Sequence, residues 1–159
     1  MKGDTMNKNY YLITLASLMF LFFSCTPGSK IGKFYTTDEA NELFGSVIYS
    51  VEMNSNHLAN LLDKTSTTIM FGLINQQLII LDNNRNLIFP EKADYNDSDV
   101  FTVYGTEKVR ELLADSKLNK QITDESESVN IEQRKEVLSL STENKTLETG
   151  NKCPPNCPD

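Results

Sequence analysis

TIMFGLINQQLIILDNNRNLIF, residues 68–89, contains three apolar runs separated by two short polar runs. The apolar runs lie at residues 68–74, 78–81 and 86–89. They are rich in the branched and aromatic residues that favour strands, and Pro90 ends the third because it lacks a backbone donor. The polar runs contain Asn and Asp, which tolerate the backbone of tight turns. Strands joined by such short turns must be antiparallel, so this stretch predicts a three-stranded meander.

A helix and a strand are predicted at the start of the folded region. Thr36 and Glu39 have the spacing of a capping box, and Gly45 supplies a left-handed stop. Together they predict a helix over residues 37–44. Residues 46–52 then alternate between apolar and polar side chains, which indicates a strand.

Two more helices are predicted on either side of the meander. The first ends near Lys64 and is capped by one of three polar residues: Asn54, Ser55 or Asn56. Its apolar residues share one side: Leu58, Leu61 and Leu62. After the meander, residues 100–104 predict a strand, and Thr106 caps a last helix over residues 107–116. The inward residues of that helix are Val109, Leu112 and Leu113.

This order of elements predicts an α+β domain over residues 34–116. We expect one small antiparallel sheet of about four to five strands, with two or three helices packed on one face. A domain of roughly 80 residues buries only a modest core and leaves little room for a deep substrate cavity.

Residues 117–159 contain no Phe, Tyr or Trp, and their polar runs are typical of disorder. We therefore expect a polar, acidic and mostly disordered tail, within which residues 131–140 could form a short helix. The tail ends in Cys-Pro-Pro-Asn-Cys. Cys153 and Cys157 are not spaced as a C-x-x-C redox motif, and outside the cytoplasm they could form a disulfide. The small loop would be a recognition element, an intermolecular cross-link, or an exposed disulfide without a partner.

The beginning of the chain has the anatomy of an export signal. Lys8 precedes an apolar run at residues 10–23, and Cys25 follows the small residue Ser24. The apolar run is shorter than the roughly 20 residues that a membrane-spanning helix needs. We therefore expect residues 1–24 to be removed as a signal peptide.

The residues around the expected cleavage point resemble the lipobox of bacterial membrane lipoproteins: Leu21, Phe22, Phe23, Ser24 and Cys25. Phe23 is bulkier than the residue usual in this family. The resemblance implies acylation of Cys25, for example with palmitate, and a lipidated tether over residues 25–33. Several acyl chains hold a protein on a bilayer almost permanently. Thr26 after the cysteine implies the outer membrane, with the domain facing the periplasm. The alternatives are an uncleaved apolar anchor and a signal peptide whose cysteine is incidental.

The charge of the chain limits its partners. Its 15 basic and 22 acidic residues give a formal net charge of −7. Such a balance argues against nucleic-acid binding and against electrostatic adhesion to an anionic membrane, so the lipid would provide the membrane attachment. A positively charged protein would be attracted.

His57 is the only histidine, so a Ser-His-Asp or Cys-His arrangement would have to include it. It lies near a predicted helix start, with no G-x-S-x-G element nearby. One histidine and the tail cysteines are also a poor ligand set for zinc. We therefore expect His57 to be an ordinary helix residue.

An acidic loop carries oxygen ligands at alternate positions: Asp94, Asn96 and Ser98, with Asp97 and Asp99 beside them. This is how an EF-hand calcium loop begins. However, Asp99 occupies the position of the loop's glycine, and Gly105 that of its bidentate glutamate. The pattern therefore favours an exposed acidic loop over a calcium site.

The sequence predicts a lipid-anchored envelope protein that acts as a binding or structural module, without catalytic residues, cofactor or metal. We expect a protein partner in the envelope. One alternative is a periplasmic inhibitor or immunity-type protein that neutralises a basic toxin or hydrolase, because electrostatic steering speeds such captures. A second alternative is an envelope hydrolase, which would have to use His57.

Overall fold

A computed structural model of the chain describes residues 31–118, 128–135 and 137–153. Within these ranges the helices are α1 (Thr37–Phe44), α2 (Ser55–Leu62) and α3 (Thr106–Leu118). The strands are β1 (Lys33–Tyr35), β2 (Tyr49–Asn54), β3 (Thr68–Ile74), β4 (Gln77–Leu81), β5 (Leu87–Phe89), β6 (Phe101–Gly105), β7 (Ser128–Gln133), β8 (Leu138–Ser141), β9 (Thr146–Glu148) and β10 (Asn151–Cys153). The α+β class predicted from the sequence is confirmed.

The strands form two antiparallel sheets. The first sheet has the order β1-β9-β8-β7-β2, and the second has the order β10-β6-β3-β4-β5. The predicted meander is the β3-β4-β5 part of the second sheet. Its first turn contains Asn75 and Gln76, both with positive φ. In its second turn the Asp82 carboxylate accepts hydrogen bonds from the backbone N–H groups of Asn84 and Asn86, both at 2.8 Å.

The helices begin as their capping residues predict, with one exception. The capping box of Thr36 and Glu39 is present at α1. Asn54 caps α2 by accepting a hydrogen bond from the backbone N–H of His57 at 3.1 Å. Thr106 is the first residue of α3 and does not cap it. Its hydroxyl instead donates to the carbonyl of Ser66 at 3.1 Å, which fastens the start of α3 to the segment before β3.

The main core lies between the two sheets and is completed by α2 and α3. The apolar stripes predicted for these helices are buried, and they pack with aliphatic residues from both sheets. Tyr104 of β6 crosses this core. Its hydroxyl donates to the carbonyl of Leu138 at 2.6 Å and lies 3.2 Å from that of Leu147. The two sheets are therefore joined by hydrogen bonds as well as by apolar contact.

The described strands extend beyond the predicted boundaries of the domain. Residues 128–153, assigned to the disordered tail, form β7 to β10, and Lys33, assigned to the tether, begins β1. Residues 131–140 are not a helix, since Ile131 of β7 pairs with Leu140 of β8. The physical reason is a period of two in the apolar residues, which supplies one buried face without any aromatic residue. The predicted single sheet is thus two sheets. The remaining parts of the expected tail (119–127, 136 and 154–159), of the tether (25–30) and the whole signal peptide (1–24) lie outside the described residues.

Candidate binding groove

A polar layer lies on the outer face of the first sheet, where α1 covers it. Ser139, Ser141, Thr146 and Glu148 project from β8 and β9 and are at most 4% exposed. The Ser141 and Thr146 hydroxyls are 3.1 Å apart. Burial of a polar group costs free energy unless a hydrogen bond or an ion pair replaces its contacts with water. The layer therefore depends on precise geometry.

Arg134, which follows β7, is the centre of this polar layer and is 1% exposed. Its Nη1 donates to Asn41 Oδ1 at 2.7 Å and to the carbonyl of Gly45 at 2.6 Å. Its Nη2 donates to Glu132 Oε2 at 2.9 Å, and its Nε donates to Ser139 Oγ at 3.0 Å. The guanidinium therefore ties the C-terminal end of α1 to the β7-β8 hairpin.

Glu148 is the second buried charge partner of Arg134. Its Oε1 lies 3.3 Å from Arg134 Nε, and its side chain is fully buried. Neither of its carboxylate oxygens accepts a hydrogen bond within the described residues. Burial raises the pKa of Glu148; nearby Ser139 and Arg134 oppose this effect, and Glu132 adds to it. Two carboxylates thus share one guanidinium.

Two depressions open beside the end of the β7-β8 hairpin that Arg134 holds. The larger, which we call the groove, has a volume of about 430 Å³ and lies between that hairpin and the second sheet. Its apolar lining includes Phe71, Leu73 and Val137. The smaller, which we call the cleft, has a volume of about 290 Å³ and lies between Val137 and the end of α1. Lys135 and Val137 line both, so the two depressions are adjacent.

Among the described residues, the charged side chains that line the groove are all basic: Arg134, Lys135 and Lys152. This is unexpected in a chain with more acidic than basic residues. The charge of Arg134 is balanced by the carboxylates beneath it. Lys135 and Lys152 are exposed and form no ion pair with any described residue. The positive charge available to a ligand therefore comes from these two lysines.

Three large apolar side chains that are exposed to solvent form what we call the apolar rim: Leu43 (62% exposed), Ile48 (68%) and Val100 (52%). Leu43 lines the cleft and Val100 lines the groove. Ile48 lies beside the groove, because its backbone N–H donates to the carbonyl of Gln133 at 2.8 Å. Apolar residues that gather around a depression are typical of an interaction surface.

The residues considered for chemistry do not lie at this groove. His57 is exposed at the start of α2, where its ring meets that of Phe89 edge-on with centroids 5.4 Å apart. In the acidic loop, Asp99 Oδ2 accepts a hydrogen bond from the backbone N–H of Asn96 at 2.7 Å. Among the residues that the structure describes, no three His, Cys, Asp or Glu side chains form a group that could hold a metal ion.

The cysteines give no structural test of lipidation or disulfide formation. Cys25 and Cys157 lie outside the described residues. Cys153 ends β10, where it pairs with Phe101. Acylation of Cys25 and a bond between Cys153 and Cys157 remain predictions.

The groove itself was missed by the sequence analysis. Lys135 and Lys152 stand in polar segments and carry no motif. The one signal for their surroundings is the alternation of Val129 and Ile131 with polar residues, which indicates a strand where a tail was expected.

No family model, curated protein or solved structure matches this chain. None of the helices in the described part of the chain is both long and apolar enough to span a bilayer.

Proposed function

We propose that this chain is a lipid-anchored protein of the cell envelope that works by binding a partner protein rather than by catalysis. Acylated Cys25 would attach it to the outer membrane, and the domain would face the periplasm. The observation that supports binding most directly is the adjacent groove and cleft bordered by the exposed apolar rim.

The energetics favour a protein partner for this surface. Full burial of a side chain such as Leu43 or Ile48 contributes about 1.5–3 kcal/mol. A few such residues at the centre of an interface commonly supply most of its binding energy. Leu43 and Ile48 are the most exposed members of the rim, so a partner that covers them gains the most.

The test is chemical crosslinking in intact cells, followed by capture of the lipidated protein from detergent and identification of its partners. We expect a dominant partner that is lost from the Leu43→Asp/Ile48→Asp variant. Asn60→Asp, an exposed substitution on α2, should retain it. Cys25→Ala separates the contribution of the anchor from that of the surface. If the wild type and the rim variant captured the partner equally, the rim would be rejected as the binding surface.

An inhibitor of a basic toxin or hydrolase is the second candidate. Asp38 and Glu42 are exposed on α1, and Glu42 precedes Leu43 of the apolar rim. A basic partner could therefore contact an acidic and an apolar surface at once. Binding to a basic enzyme that weakens steeply with salt and with Asp38→Lys/Glu42→Lys would favour this candidate.

A further inference from the structure

We propose that the groove binds an acidic, apolar-flanked polypeptide segment of the partner, with its carboxylates facing Lys135 and Lys152 and its apolar side chains in the cleft. This inference rests on the proposed binding function and adds the chemistry of the bound segment.

The sign of the charge is the first argument. Every charged side chain that lines the groove in the described part of the chain is basic, whereas the whole chain is acidic. Several other basic residues pair with a carboxylate, as Lys108 does with Glu111 at 2.8 Å and Lys145 with Asp115 at 3.0 Å. Lys135 and Lys152 have no such partner among the described residues. An acidic ligand would supply one.

The positions of the two lysines are the second argument. Lys135 stands next to the end of β7 in the first sheet, whereas Lys152 is in β10 of the second sheet, opposite Thr102. A carboxylate in the groove can therefore be approached from both sheets. Gln133 and Thr102 also line the groove and add hydrogen-bonding groups beside the lysines.

The shape of the surface favours a polypeptide over an acyl chain. The groove combines the apolar residues Phe71 and Leu73 with polar and charged ones, and the more apolar cleft lies next to it at Val137. A segment with alternating acidic and apolar side chains matches this succession. An acyl chain would instead need an enclosed apolar cavity.

The rigidity of the site is the fourth argument. Arg134 lines the groove and also bonds to Asn41 and to the carbonyl of Gly45, which lines the cleft. The walls of both depressions are thus held by one buried guanidinium. A surface that is ordered before binding loses less conformational entropy when a ligand binds.

The experiment measures the binding of fluorescent peptides to the detergent-solubilised, lipidated protein by anisotropy. Three probes of equal length are used, with Leu alternating with Asp, with Lys or with Ser, and oleate is the fourth ligand. We expect the Leu-Asp peptide to bind most tightly. Exposed ion pairs contribute about 0.2–1 kcal/mol each, so Lys135→Ala or Lys152→Ala should weaken it about 1.5- to 5-fold. Lys135→Glu/Lys152→Glu should weaken it further.

The matched control is Lys64→Glu/Lys92→Glu, which makes the same change in net charge at exposed lysines outside the groove. Thermal melting verifies that each variant folds. Tighter binding of the Leu-Lys peptide, equal loss in both double variants, or binding of oleate in place of the acidic peptide would overturn the inference. If crosslinking in cells still captures a partner that depends on Leu43 and Ile48, the proposed function stands even though the acidic segment is rejected.

Discussion

The outer faces of the two sheets carry opposite chemistry. On the second sheet, Met70, Ile79, Leu81, Phe101 and Val103 form an apolar cluster that Ala93 and Tyr95 of the following loop help to cover. On the first sheet, α1 covers hydroxyls, two carboxylates and the guanidinium of Arg134. Apolar packing tolerates small shifts, whereas a buried polar layer needs each partner in place. The polar face is therefore the one that can hold the groove in a defined shape.

Of the substitutions that test this comparison, Arg134→Ala should change the free energy of unfolding most. It would leave Glu132 and Glu148 without their cation beneath α1. Loss of one partner of a buried ion pair costs about 3–5 kcal/mol. We expect a decrease of this size in the free energy of unfolding, measured by urea denaturation.

Lys135→Ala is the control for Arg134→Ala, because it removes the adjacent positive charge from an exposed position. A surface substitution of this kind should change stability by no more than about 0.5 kcal/mol. Equal effects of the two substitutions would show that the polar layer contributes little to the fold.

Leu81→Ala tests the apolar face. Leu81 is fully buried in the cluster on the second sheet. Its truncation removes buried methyl groups and leaves a cavity, which costs about 2–5 kcal/mol. We expect the loss to be the same at pH 5 and pH 8, measured by urea denaturation at both, since the cluster is built from apolar side chains with Tyr95 at its edge. A loss that changes strongly with pH would mean that the two outer faces are not independent.

Glu148→Gln should have the smallest effect, and one that depends on pH. Burial raises the pKa of Glu148 in the folded state, so its protonated form favours folding. That contribution is complete below the unfolded-state pKa of about 4.3 and is lost as the pH rises through the folded-state pKa. The melting temperature of Glu148→Gln, relative to that of the wild type at the same pH, should therefore rise between pH 4 and pH 7.

The charged groups around Glu148 come from neighbouring strands and are unchanged by this substitution. Arg134 and Glu132 face it from the β7 side. Burial and, after it, the charge of Glu148 raise the pKa of Tyr104 on β6. Glu143→Gln, an exposed carboxylate in the β8-β9 turn, is the control. A constant difference in melting temperature between Glu148→Gln and the wild type across this pH range would contradict the account.

Where local rules agreed, the sequence was enough to predict the structure. The turns of the meander, the capping box at Thr36 and the leucines of α2 each depend on nearby residues, and they lie where expected. The first sheet depends on distant ones, since Lys33 of β1 pairs with Glu148 of β9. The sequence of its outer face also predicts exposure wrongly: Ser139 and Thr146 are residue types usually found in contact with water, but both are buried beneath α1.

The groove could not be predicted for the same reason. Its lining comes from β3, β6, β10 and the β7-β8 hairpin, which only the two-sheet arrangement brings together. Lys135 and Lys152 acquire a common role through that arrangement and not through their spacing. The exposed rim could not be predicted from the sequence either, since Ile48 was expected within a strand but precedes β2.

Site-specific photocrosslinking in intact cells is the most direct test of the central claim that the groove and its rim bind a partner protein. A photoreactive amino acid is placed at Leu43, at Val100 or at the exposed control position Asn60. We predict the same crosslinked partner from Leu43 and Val100 and none from Asn60. A partner captured equally from all three positions, or from Asn60 alone, would contradict the claim.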